Sequence, residues 1–556
     1  MSQSPAFSFM TKNTSAPLAA AGEAPWPTAA GPGQEPLDQQ VPEGRRAGLL
    51  LPIFSLPGPY GIGGMGLWAR RFIDFLHQSG QRYWQILPLG TTGLGDSPYQ
   101  NFSIEAGNPY LIDLPSLVQE GYLEAADLED QDEGWDPDFI DYGRLWTERH
   151  RLLERAWERF LTGARQAEHE RFAHFCQEQD WLSDYGLYMA LKEEHGGRAW
   201  QEWPEDLRRR EAHALIDAQE RLAKRIRYHS FVQYLFYEQW VALRDYAQQR
   251  GVLIVGDMPI YVPEDSVEVW KEPELFQMDE DLRPSFVAGC PPDYFTPEGQ
   301  LWGNVLYDWE RMAQTGYAWW IRRISWQLRL YDLLRIDHFR GLESYWAVPY
   351  GDSNARRGLW VQGPGLDFFE QVKQQFGSLP LLAEDLGFLT PEVQQLREKA
   401  GLPGMNVLVF AFDPSMQSNY LPHHVAVDSV MYPATHDSET VTQWYQSCAP
   451  ADRERATAYL GLSQEEGVNW GLVRGAMTSP ARLCIVQLQD YLGLAADSRM
   501  NIPGSPCGNW RWRVRAEALN DELSRRIRDL TFISGRLAPE DQEKAAPPPA
   551  ETPLQI

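Results

Sequence analysis

No apolar stretch in the chain reaches the 18 or so residues that a membrane helix needs, so nothing reads as a span. Positive charge is scarce: 50 Lys and Arg stand against 77 Asp and Glu, leaving a formal charge of −27 over 556 residues. That is the wrong sign for a nucleic-acid backbone or an anionic membrane surface, and neither partner is expected. Cysteine is sparse as well. Cys176, Cys290, Cys448, Cys484 and Cys507 are odd in number, scattered and without CxxC spacing, which argues against a disulfide framework and for reduced thiols in a cytosol. No histidine pair has i, i+4 spacing with a carboxylate partner, so no metal site is expected. The first forty residues lack a basic segment followed by an apolar one, and a cytoplasmic protein is the expectation. No repeat period or sustained heptad is visible, which excludes solenoids and coiled coils.

What the chain does contain is a series of short, continuous apolar runs. Eight lie at 47–54, 83–89, 252–255, 333–337, 381–384, 406–412, 429–432 and 482–488. Continuous runs of this length suit parallel strands covered on both faces by helices. Between the first two, LWARRFIDFLHQSG places Leu67, Phe72, Phe75 and Leu76 at helical spacing and ends on Gly80, a plausible C′ residue. PEVQQLREKAG at 391–401 reads similarly. Eight parallel strands with intervening helices predict an α/β fold, a (β/α)8 TIM barrel with inserted, largely helical subdomains around its catalytic mouth.

The gap between the second and third runs is the irregular one. Its Glu-, Arg-, Gln- and Leu-rich middle, with stretches such as RLLERAWERFLTGARQ, predicts a helical insertion over 120–245. The expected division is an unstructured tail over 1–44, a first part of the barrel over 45–119, the insertion, the remaining barrel over 246–536, and a second unstructured tail over 537–556. The turn-rich AGCPPDYFTPEGQLWGN at 288–304 reads as a long loop on the catalytic face, a candidate substrate clamp.

Residues 61–66, GIGGMG, satisfy the dinucleotide-binding GxGxxG pattern between a strand and a helix. That site also needs an acidic residue at the end of the next strand, and YWQILPLGTTG supplies none, so the glycines read as a tight strand-to-helix turn and no cofactor is expected.

The runs end on acids. VLIVGD reaches Asp257, LLRID reaches Asp337, LLAED contains Glu384, and MYPATHD closes on Asp437. A charge directly after a buried run is costly unless it faces a solvated site. Any one of these acids could cap a helix or pair with a structural arginine, but the ordered set reads as carboxylates gathered at the C-terminal mouth of a barrel. Retaining glycosidic chemistry needs an ionised nucleophile and a protonated acid about 5–5.5 Å apart. Asp337 and Glu384, ending strands four and five, are placed for those parts. Arg335 lies two residues before Asp337, on the same side of a strand, and would keep it ionised. Glu384 would need burial or a nearby anion to hold its proton. Asp437, from strand seven, would hold sugar hydroxyls and favour an oxocarbenium-like state. His338 and His436 flank two of the acids and could donate to those hydroxyls. The 22 tryptophans could be sugar-stacking platforms or core.

Taken in order, LPIFSLPGPYGIGGMG, WQILPLG, GDSPYQNFSIEAGNPYLIDL, GDMPIYV, GNVLYDW, RIDHFRG, AEDLG, THDSET and MNIPGSPCGNWRWR resemble the amylomaltases, the 4-α-glucanotransferases of glycoside hydrolase family 77, from about Arg46 to about Arg536. The resemblance implies a cofactor-free barrel with inserted subdomains. It implies Asp337 as nucleophile, Glu384 as acid/base, Asp437 as transition-state stabiliser, and Arg335 and His436 as further active-site groups. Tyr60, Ser97, Tyr99 and Asp257 match sugar-subsite residues, and Trp302 and Asn304 match the loop over the acceptor side. The implied reaction is retaining transfer of an α-1,4-glucan segment among maltooligosaccharides, amylose and glucose. An α-amylase-type hydrolase is the alternative. Two departures stand out: Ser438-Glu439, where the family usually has an Asn-Asp-like pair, and Val305, where proline is common.

Overall fold

A computed structural model describes residues 44–542 apart from 130, 293–295, 378, 388, 413–417 and 506. Of the tails expected over 1–44 and 537–556, residues 1–43 and 543–556 lie outside the described residues. The strands are β1 (Arg46–Leu50), β2 (Tyr83–Gln85), β3 (Leu253–Met258), β4 (Phe286–Cys290), β5 (Gln300–Val305), β6 (Leu333–Ile336), β7 (Ser344–Pro349), β8 (Leu359–Gln362), β9 (Leu381–Ala383), β10 (Gly404–Val407), β11 (Ser429–Tyr432) and β12 (Leu483–Gln487).

Eight of them close a barrel in the order β1-β12-β11-β10-β9-β6-β3-β2. Each neighbouring pair is parallel. Each barrel strand overlaps one of the eight apolar runs, and the (β/α)8 expectation holds. The reason is burial on both faces: β2, β6, β9, β11 and β12 are buried along their whole length. Close packing inside the barrel leaves no room for a side chain at Gly48, whose Cβ would lie 2.5 Å from the Tyr83 carbonyl oxygen.

The helix Leu67–Gln78 buries Ala69, Phe72, Ile73, Phe75 and Leu76. It ends where expected, with Gly80 at φ +72° just beyond it. The GIGGMG glycines serve packing. A Cβ on Gly63 would meet the Ile53 carbonyl oxygen at 2.1 Å, and one on Gly66 would meet the Asp113 carboxyl at the same distance.

Between β2 and β3 run the helices Tyr142–Gly163, Gln166–Glu178, Leu182–Glu194 and Ala212–Gln249. The last is 38 residues long, and its buried residues concentrate in the C-terminal half, from Tyr228 to Ala247. Phe231 joins it to the first two helices through rings 4.7 Å from Phe160 and 6.0 Å from Phe172. Aromatic pairs of this kind contribute about 0.5–1.5 kcal/mol each beyond area burial. The tryptophans mostly serve the core: Trp84, Trp200, Trp240, Trp270 and Trp320 are all less than 2% exposed.

Two expectations need correction. The stretch 288–304 is not a free loop throughout, because its two ends belong to β4 and β5, which pair antiparallel and join β7 and β8 in a separate sheet of order β5-β4-β7-β8. Its strands are short and glycine-interrupted, and β4 is sandwiched by a partner from beyond β6, so local pattern does not reveal them. Residues 537–542 are also not an unstructured tail. Leu537 and Ala538 are buried, Pro539–Gln542 is helical, and Arg82 binds Glu540 at 2.6 Å and Asp541 at 2.7 Å.

Nearby, the fully buried Arg536 ties the closing strands together. It donates to the carbonyls of Met477 (2.7 Å), Arg46 (2.8 Å), Arg482 (3.3 Å), Ser479 (3.1 Å) and Ala481 (2.9 Å). Arg536→Met removes all five bonds; Met477, Ser479 and Arg482 keep a second donor in Arg45 or the Arg46 N–H, but hydrogen bonds to a charged group contribute about 1.5–3 kcal/mol each. The expected outcome is a loss of about 3 kcal/mol or more, read as a lower midpoint in thermal or urea unfolding.

Candidate active site

The acids converge because the barrel strands are in register. β3 pairs with β6 so that Asp257 stands opposite Arg335. β6 pairs with β9 so that Ile336 stands opposite Ala383. The next residues, Asp337 and Glu384, therefore leave the ends of adjacent strands side by side. Their backbones continue the ladder: Asp337 N–H donates to the Met258 carbonyl and Glu384 N–H to the Ile336 carbonyl, both at 3.0 Å.

One guanidinium sits at the centre. Arg335 Nη1 donates to Asp257 Oδ1 at 2.6 Å and Oδ2 at 2.7 Å, and meets Asp337 Oδ1 at 2.9 Å. Tyr99 donates its hydroxyl hydrogen to Asp257 Oδ2 at 2.8 Å and lies 2.8 Å from His436 Nε2. His436 Nε2 in turn faces Asp437 Oδ2 at 3.2 Å. With carboxylates on both sides, a single proton arrangement satisfies the chain: Nε2–H points to Asp437 and the Tyr99 oxygen, and the tyrosine hydrogen goes to Asp257. Six of the twelve expected residues (Tyr99, Asp257, Arg335, Asp337, His436 and Asp437) thus form one hydrogen-bonded network.

Glu384 joins the site from the other side. Its Oε2 accepts from the His338 backbone N–H at 2.7 Å and its Oε1 from that of Leu386 at 2.9 Å. His338 takes a left-handed conformation, φ 50° and ψ 48°, which is uncommon for a side chain of this size. Its ring stands edge-on to Trp302 at 4.7 Å, with Tyr261 6.4 Å from Trp302. Gln100 donates to Asn304 Oδ1 at 3.0 Å and to the Trp302 carbonyl at 3.4 Å. Ser97 Oγ accepts from the Tyr99 N–H at 3.2 Å. Tyr60 stands apart from the network: its backbone N–H donates to Asp132 at 2.8 Å, at a left-handed φ of 65°.

The electrostatics separate the carboxyls. Burial raises Glu384 to about 8, against the pull of Arg335 and with the help of the Asp337 charge. Asp337 also rises, to about 6, although Arg335 touches it. Arg335 pulls Asp337 toward its ionised form, but the guanidinium is shared with Asp257, and burial outweighs what remains. Asp337 is still mostly ionised at neutral pH, with a narrower margin. Asp437 goes the other way: burial pushes it up, but His436 and Asn501 hold it far below the usual carboxylate range. Burial, with Arg340, brings His338 down to about 3, so its ring is neutral.

Sequence reasoning missed Asn501, Trp510, Tyr261 and Gln100 as members of this region. Asn501 Nδ2 donates to Asp437 Oδ1 at 2.7 Å. The Trp510 ring lies 5.6 Å from Tyr99 and 6.2 Å from His436. Both sit in MNIPGSPCGNWRWR, which stood out as a motif without its residues receiving roles.

The sequence profile of glycoside hydrolase family 77, described as 4-alpha-glucanotransferase, matches residues 51–519. The chain belongs to this family. It is 47% identical over 501 residues to the 4-alpha-glucanotransferase of Thermus thermophilus, covering 89% of this chain and 99% of that one. It is 39% identical over 502 residues to a 4-alpha-glucanotransferase of Solanum tuberosum named as chloroplastic/amyloplastic, covering 89% of this chain and 87% of that one. Among solved structures, an amylomaltase from Streptococcus agalactiae in complex with acarbose superposes with a TM-score of 0.87 at 39% identity, covering 89% of this chain and all of that one.

The two departures from the family-77 pattern now have local explanations. Ser438 Oγ accepts from the Thr435 N–H at 2.9 Å and closes the turn that carries Asp437. Val305 donates its N–H to the Val262 carbonyl at 3.2 Å, a bond that proline could not make.

The carboxyl titrations set the expected pH dependence. Activity falls as pH drops through about 6, where Asp337 gains a proton, and falls again as pH rises through about 8, where Glu384 loses one. A kcat/KM profile from pH 4.5 to 9.5 checks this; because the two groups interact, its limbs report the pair.

Proposed function

We propose that Asp337 attacks C1 of an α-1,4-linked glucose while Glu384 gives its proton to the departing 4-oxygen. The C1–O4 bond breaks and a C1–Oδ bond forms, leaving a covalent glycosyl-enzyme. Glu384, now a base, takes the proton from the 4-hydroxyl of an incoming glucan or glucose, whose oxygen displaces Asp337 from C1. A new α-1,4 bond closes the cycle with retained configuration. Asp437, held anionic, favours the oxocarbenium-like states on both sides, and Tyr99, His436 and Arg335 set the charge around them.

The observation that carries this reading is the contrast between two adjacent strand ends. Glu384 holds its proton to about 8, while Asp337 lies against a guanidinium at 2.9 Å. The donors and acceptors are maltooligosaccharides, amylose, starch or glycogen chains, and glucose. Transfer outcompetes hydrolysis when the acceptor side holds sugar and keeps water out. Trp302, His338 and Tyr261 form an aromatic wall suited to that task. Tyr60, Ser97 and Asn304 complete the sugar contacts. The free thiols of Cys176, Cys448, Cys484 and Cys507 fit a cytoplasmic setting.

Incubation with maltotriose alone, with products resolved by chain length, tests the reaction. The expected result is glucose together with a ladder of longer maltooligosaccharides. Glucose and maltose without a ladder would mean a hydrolase. Asp337→Asn and Glu384→Gln are each expected to lower turnover by about a thousandfold or more. An Asp337→Asn variant that still builds the ladder at the wild-type rate would overturn the assignment.

A further inference from the structure

Asp437 is the acid whose orientation the barrel explains least. Asp337 and Glu384 directly follow strands, whereas Asp437 lies five residues beyond β11, inside the turn Thr435–Ser438 closed by a 3.2 Å backbone bond. No ladder bond fixes its side chain, and the terminal torsion of an aspartate is soft.

A short segment from after β12 grips it instead. Asn501 Nδ2 donates to Asp437 Oδ1 at 2.7 Å, and the Asn501 backbone N–H donates to the His436 carbonyl at 3.1 Å. Arg499 donates from Nη2 to the Asp437 carbonyl at 3.3 Å and from Nε to the Asn501 carbonyl at 2.9 Å. The segment is itself tied down, since the Trp510 N–H donates to the Met500 carbonyl at 2.8 Å and the Ile502 N–H to Asn509 Oδ1 at 3.0 Å. With Oδ2 facing His436 at 3.2 Å, both carboxylate oxygens have a defined partner and the plane of the group is set.

We propose that Asn501 is a positioning residue, which fixes the plane of the Asp437 carboxylate through one neutral hydrogen bond on Oδ1. A neutral amide suits the part: it directs the carboxylate without neutralising the charge meant for the reacting sugar, as a lysine or arginine there would. The inference rests on Asp437 being the stabiliser of the proposed reaction.

The test uses Asn501→Ala, Asn501→Asp and Asp437→Asn in the full chain, with initial rates on maltotriose from pH 5.5 to 8.5 and thermal melts alongside. Asn501→Ala is expected to lower kcat about a hundredfold, the scale of a misplaced reacting group. Its KM should stay within about threefold, because a transition-state interaction is lost and ground-state binding is kept. Asn501→Asp is the decisive variant, being nearly isosteric. Two carboxyls in contact share a proton at low pH, and the protonated one can donate as the amide did; at higher pH they repel. Its rate relative to wild type at the same pH should therefore climb as pH falls, a comparison that cancels the Asp337 and Glu384 limbs. An Asn501→Asp ratio that is flat with pH, or an Asn501→Ala defect confined to KM or to the melting temperature, overturns the positioning role. Asp437→Asn separates the two levels: if it keeps wild-type activity, the assignment of Asp437 itself fails, whatever Asn501 does.

Discussion

The buried pair between Arg335 and Asp257 is the constraint around which the site is arranged. Their side chains are 3% and 0% exposed, on neighbouring strands in register. Taking both charges out of water is expensive, and removing one partner from such a pair typically costs about 3–5 kcal/mol. The arginine cannot leave, and Asp257 occupies it with both oxygens. What remains of its field reaches Asp337. The nucleophile candidate consequently sits at an intermediate acidity, while Glu384 on the next strand, with burial and Asp337 against it, retains its proton. One cation divided between two carboxylates separates the two titrations that retaining chemistry requires.

The barrel delivers these groups and the rest of the molecule encloses them. Parallel strands place the residues at and just after their C-terminal ends on one rim, so Asp257, Asp337 and Glu384 need no special loops to meet. The antiparallel sheet of β4, β5, β7 and β8 grows out of the segments between β3 and β6 and between β6 and β9. It brings Trp302 and Asn304 over that rim and sets the Trp302 ring against His338. The left-handed backbone of His338 turns its N–H onto Glu384, so the wall beside the acid and the acid's own orientation share one residue. His436 plays the matching part on the other side, linking Asp437 to Tyr99.

Legibility in the sequence followed the locality of the interactions. A strand buried on both faces announces itself as an apolar run, and all eight barrel strands could be read that way. The acids that follow them could be read for the same reason, since a charge after such a run needs a solvated exit. β4, β5, β7 and β8 could not be read, because they are mixed in composition and are joined into one sheet by the pairing of β4 with the distant β7. Asn501 and Trp510 were hidden similarly: an asparagine in an irregular segment acquires meaning only from the carboxylate 64 positions earlier that it touches.

The sequence by itself determined the barrel, the order of its strands and the identity of the candidate carboxylates, because burial pattern and residue chemistry are properties of local stretches. Only the tertiary structure decided the protonation order. That order depends on which carboxylate holds Arg335, how deeply Glu384 is buried and what faces each oxygen of Asp437. These are distances between segments that the fold brings together, and electrostatic energy depends on such distances and on exclusion of water, which no local stretch encodes.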